Sequence, residues 1–88
     1  MTRAKMHSIA RALSDPRRFE ILKRIADQER AACAGLLDKF PITAATLSHH
    51  LKELQSCRLI EPIRRGKCID LKFRRSVWDA YLKELNKI

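Results

Sequence analysis

Just after Cys57 the hydrophobic period of the chain changes, and that change limits what the chain can fold into more than any other feature. Before Cys57, apolar residues return at the spacing of an α-helix, near 3.6; after it they return at the spacing of a β-strand, near 2. Ile69, Leu71 and Phe73 alternate with Cys68, Asp70 and Lys72, and the stretches 59–64 and 67–73 flank the tetrad RRGK with Gly66 as turn residue. That is a hairpin. With 88 residues there is room for one small domain spanning 1–88, and no repeat, low-complexity tract or linker divides it.

The helical part resolves into four pieces. Met6, Ile9, Ala10 and Leu13 stripe a first helix, and Ser14-Asp15-Pro16 restarts the chain with a good N-cap and a proline suited to the first helical position. Phe19, Leu22, Ile25 and Ala26 stripe a second helix ending near Ala26. A short third helix is expected over about 31–39, closed by Phe40-Pro41. Thr43 caps the fourth. After the hairpin, Val77, Trp78, Tyr81, Leu82, Leu85 and Ile88 restore a helical stripe. The expected class is mainly α with a β-hairpin (α+β), in the order α-α-α-α-β-β-α, which describes a winged helix-turn-helix.

The fourth helix carries adjacent histidines. On a wheel at about 100° per residue, Leu47, Leu51 and Leu54 share a narrow core arc, His49 lies about 200° from Leu47, and His50 lies about 300° round, at the shoulder of the apolar stripe. Histidines that diverge this far do not chelate one metal from a single helix, which needs spacing such as i and i+4. His50 is therefore expected to be half-buried with one nitrogen bonded locally. His49 turns outward with Ala45, Ser48 and Lys52.

Lys and Arg total 19 against 10 Asp and Glu, a formal charge of +9, which suits a polyanionic partner. No apolar run approaches the ~20 residues that span a bilayer, so no membrane role is expected. The basic N-terminus lacks the apolar segment of a secretory signal. Cys33, Cys57 and Cys68 are odd in number and irregular in spacing, unlike a secreted disulfide framework, and a cytoplasmic location is expected. No nucleophile-base arrangement or phosphate-cradling glycine loop is visible, and there are only two glycines, so an enzyme is not expected. No cofactor is expected either.

The run ALSDPRRFEILKRIA, then TAATLSHHLKELQSCRLIEP, then RRGKCIDLKF resembles the ArsR-type winged-helix transcriptional regulators over about residues 9–75. The resemblance implies that Thr43, Ala44, Thr46, Ser48 and His49 face double-stranded DNA, with Ala44 standing where many relatives carry a glutamine. It also implies a homodimer through the first and last helices, here Met6, Ile9, Leu13, Trp78, Leu82 and Leu85, reading half-sites about one DNA turn apart. In metal-binding relatives a Cys-x-Cys pair opens the third helix; here Ala32 and Ala34 stand there, with Cys33 between them. A second family site uses Asp and His on the last helix, and residues 76–88 contain no histidine.

These expectations converge on a dimeric repressor with its recognition helix over about 43–57 in the major groove. Lys52 would extend the interface, and Arg64, Arg65 and Lys67 at the wing, 64–67, would meet the backbone or minor groove. Two alternatives stand beside it. One is a thiol- or metalloid-responsive repressor using Cys33, Cys57 and Cys68; the other is a winged-helix module for protein or RNA. No effector is written in the residues.

Overall fold

Thr2 and Asp15 set the first two helices going. In the computed structural model, which describes residues 1–88, the Thr2 hydroxyl accepts a hydrogen bond from the Lys5 amide at 3.1 Å, and the Asp15 carboxylate accepts one from the Arg18 amide at 2.9 Å. Each satisfies an amide that a helix N-terminus leaves without an internal partner. Helix α1 runs Arg3–Leu13 and α2 runs Pro16–Gln28. Glu29, with φ at 61°, ends α2 in the left-handed region.

Beyond Glu29 the chain departs from the expected order. A strand, β1 (Arg30–Ala32), precedes α3 (Cys33–Lys39), and then come α4 (Ala44–Ser56), β2 (Ile60–Arg65), β3 (Cys68–Phe73) and α5 (Arg75–Leu85). The hairpin is thus part of a three-stranded antiparallel sheet in the order β1-β3-β2, with Ala31 opposite Leu71 and Pro62 opposite Leu71 on the other side. Local alanine content favours helix from residue 31. Ladder bonds to β3, extended by the Phe73 amide donating to the Glu29 carbonyl at 2.9 Å, hold Arg30–Ala32 extended instead. Pro62 is tolerated because β2 is an edge strand.

The core gathers Ile9, Ile21, Ile25, Leu36, Leu54, Leu59, Ile60 and Leu71, all fully enclosed. Leu47, Leu51 and Leu54 of α4 point into it, as their shared arc requires. Three details shift from the sequence expectation. In α2 the buried face is Ile21, Leu22 and Ile25, and Phe19 is left at the surface. Leu71 and Phe73 turn inward from β3, but Ile69 is 41% exposed, being nearer the tip where the hairpin outruns the core. Asp70, expected outside, is 6% exposed.

Candidate nucleic-acid interface

The Thr43 hydroxyl accepts from the Thr46 amide at 3.1 Å and donates to the Thr46 hydroxyl at 3.0 Å, so the cap that begins α4 occupies two of the expected DNA-facing residues. Both remain at the surface, as do Ala44, Ser48, His49 and Lys52. His50 does not share that surface. Its ring is 7% exposed, tilted against His49 at 5.9 Å between centroids, and its buried Nδ1 has no hydrogen-bond partner. This corrects the expectation of a local bond. Desolvation pulls the His50 pKa below its ordinary value, with the Asp15 carboxylate opposing and Arg18, His49 and Arg17 reinforcing the shift, so the neutral ring is the native form.

Arg18 is a functional part of the scaffold that residue patterns do not reveal. Its buried guanidinium donates from Nε to the Ala12 carbonyl at 2.7 Å, tying the last turn of α1 to the start of α2. A basic residue on a charged helix carries no local signal for that role.

The wing cations divide into two kinds. Arg65 is paired with Asp70 in a bidentate arrangement, Nε at 3.1 Å from Oδ2 and the second bond at 3.2 Å to Oδ1, while Arg30 from β1 reaches the same Oδ2 at 2.9 Å. The hydrogen bonds from Arg65, then from Arg30, hold the Asp70 carboxyl below the usual carboxylate range. Arg64 and Lys67 are exposed and enter no ion pair. Arg65 therefore serves the base of the wing as well as its surface, and only Arg64 and Lys67 present unengaged charge.

Helix and wing adjoin. Ala44, Ser48 and Lys52 of α4 line the same cleft as Pro62 of β2 and Ile69 of β3. The Ser48–Lys52 side of α4 thus opens directly toward the hairpin.

The residues expected to meet a partner subunit do not behave alike. Ile9 is 0% exposed in its own protomer's core, which corrects its assignment to an interface: the face of α1 that carries it packs on α2 and α4. Met6, Leu13 and Trp78 are partly buried against that core, whereas Leu82, Leu85 and Ile88 of the last helix region are exposed. The amino group of Met1 meets Glu84 Oε1 at 3.3 Å, setting the start of α1 beside the end of α5. Cys57 lies in the core with its thiol pKa raised by burial, Cys33 is partly buried and Cys68 exposed. Within the chain no group of three or more Cys, His, Asp or Glu side chains is placed to hold a metal, and the three cysteines stay apart.

An α3–α4 pair beside a hairpin with a basic tip, on a three-stranded sheet, defines a winged helix-turn-helix. Residues 13–63 match the family described as "Helix-turn-helix domain". The chain is 32% identical over all 88 residues to an arsenical resistance operon repressor of Staphylococcus aureus, covering 84% of it. It is 38% identical over 66 residues to the repressor of the same name from Staphylococcus xylosus, a match spanning 75% of this chain and 62% of that protein. Among solved structures, an ArsR-like transcriptional regulator from Rhodococcus sp. RHA1 superposes with a TM-score of 0.87 at 26% identity, over 96% of this chain and 78% of that one. A homodimeric winged helix-turn-helix DNA-binding domain from Mycobacterium bovis gives 0.79 at 23% identity, over 93% and 76%. The chain belongs to the ArsR family of transcriptional regulators, which is not a family of enzymes. No helix is long and apolar enough to cross a membrane.

Proposed function

We propose that the protein is a homodimeric repressor that occupies a double-stranded DNA operator, with α4 in the major groove and the wing on the adjacent backbone or minor groove. The observation that carries this reading is the adjacency of the exposed Ser48–Lys52 side of α4 to the hairpin bearing Arg64 and Lys67. Ser48 and His49 are the base-reading candidates; Thr43 and Thr46 suit phosphates at the positive end of the helix, and Lys52 suits one farther along it. Ala44, lacking a polar side chain, leaves room for apolar contact with a thymine methyl. Arg64 and Lys67 supply sequence-independent attraction, with Arg65 a weaker contributor because Asp70 holds it.

Dimerisation is supported by the exposed Leu82, Leu85 and Ile88 and by the homodimeric Mycobacterium bovis relative. A two-fold pair would set two α4 helices about one DNA turn apart. Selection of bound fragments from random and genomic DNA at stated salt tests the reading. The expected result is an inverted repeat with that spacing; equal retention of every duplex and of heparin would refute it. Light scattering at micromolar concentration should give twice the chain mass.

A further inference from the structure

The cleft between α4 and the sheet is larger than helix packing needs, and DNA contact does not account for its floor. Its volume is about 570 Å³, inside the ~300–1,000 Å³ range of small-molecule sites. Leu37 of α3, Leu47 and Leu51 of α4 and Leu71 of β3 make the floor, and Ile69, a large apolar residue left 41% exposed, forms one wall. The rim is polar on the α4 side only, where Ser48, Lys52 and Gln55 stand. Lys52 is the sole charged residue in the lining, and no carboxylate faces it there. An apolar trough with one cationic end selects a molecule with an aliphatic body and one anionic head.

We infer that this cleft binds an unesterified medium-chain aliphatic carboxylate, its tail against Leu37 and Ile69 and its head on Lys52, and that occupancy weakens DNA binding. The second clause rests on the proposed function. Lys52 lies on the DNA side of α4, so a carboxylate on its ammonium neutralises a charge meant for phosphate, and a tail between α4 and Ile69 wedges the helix from the wing. Both act against the same complex.

Decanoate, kept below its micelle threshold, is the probe, with decanol as the uncharged control and the whole chain as the protein. Calorimetric titration without DNA should show saturable decanoate binding, with decanol about fivefold weaker, the size of one partly exposed ion pair. Lys52→Met should erase that preference and leave decanol unchanged. Ala34→Trp, at an exposed position on the cleft edge, should block both molecules while the melting temperature stays near wild type. Alkylation followed by mass spectrometry adds an independent view: decanoate should protect Cys33, which lines the cleft, and leave Cys68 reactive. Equal affinity for decanoate and decanol, or undiminished binding by Ala34→Trp, overturns the site. Cys33 protection that depends on protein concentration and not on decanoate assigns the cleft to a second copy and also overturns it. Titration with the selected operator separates the two readings: decanoate bound without loss of operator affinity removes the coupling alone, and an operator that never binds removes the DNA reading while the cleft result stands.

Discussion

Helix α4 comes to the surface backed by Leu47, Leu51 and Leu54, whereas the wing projects past the core and is steadied at its base by Asp70 held between Arg30 and Arg65. Apolar burial presents the first, and charge pairing the second. Salt screens ion pairs at an exposed sheet end more than it touches apolar burial, whereas mild acid acts on α4 through His50 and not on Asp70, whose carboxyl is held below the usual range. The two elements are thus held by forces that answer to different solution conditions. Similar exposure of α4 and the wing therefore conceals two different means of support.

The largest test of that contrast is Leu54→Ala. Leu54 is fully enclosed, and removing its side chain should cost about 2–5 kcal/mol. Against a total of about 5–15 kcal/mol for a domain, chemical denaturation should register a severe loss, and operator binding should fail with the fold. A variant that melts normally would break the claim that burial presents α4.

Next in size is the wing. The double change Arg64→Ala, Lys67→Ala should weaken binding to all sequences and flatten the plot of log affinity against log salt by about 1.8, about 0.9 for each phosphate that is no longer neutralised. Stability should stay within about 0.5 kcal/mol of wild type. Arg65→Ala should behave differently, lowering the melting temperature more than Arg64→Ala because Asp70 loses its two-bond partner. Identical melting curves for the two single variants would dissolve the division between an anchoring arginine and a presenting one.

Thr43→Ala should cost about 1 kcal/mol, the value of a helix cap, read as a fall of about 4–8 °C in melting temperature. Thr43→Ser restores the cap and should restore the melting temperature; if it does not, the methyl group matters more than the hydrogen bond.

The smallest effect concerns His50. Its folded pKa is lowered, so near and below its unfolded value the unfolded chain binds more protons than the folded one, and stability falls as pH falls through that window. Melting curves between about pH 7.5 and 5.5 should show the decline, and His50→Gln should flatten it. An unchanged slope in the variant would relieve His50 of that role and point to carboxylates instead.

Much of the architecture is legible in the residues. The caps at Asp15 and Thr43, the core arc of Leu47, Leu51 and Leu54, the hairpin around Gly66 and the outward turn of His49 all depend on neighbours within a helical turn or on strand alternation, and each is found where the periodicity puts it. The same alternation turns Ile69 inward and Asp70 outward; Ile69 keeps to the Leu71 side, where it lines the cleft but stays 41% exposed, and Asp70 is buried after all. A strand at the centre of a sheet answers to what covers each face, and here two arginines cover Asp70 while Ile69 meets an open cleft.

Chain chemistry alone therefore determined the elements, their order apart from β1, and the side of α4 that meets the outside. Tertiary structure decided that Arg30–Ala32 is a strand, that Ile9 belongs to its own protomer's core, that Arg65 is engaged while Arg64 is not, and that a cleft opens beside α4. The reason is distance along the chain: Arg30 meets Asp70 across 40 residues, and no local period encodes a pairing whose two halves are ordered by different elements.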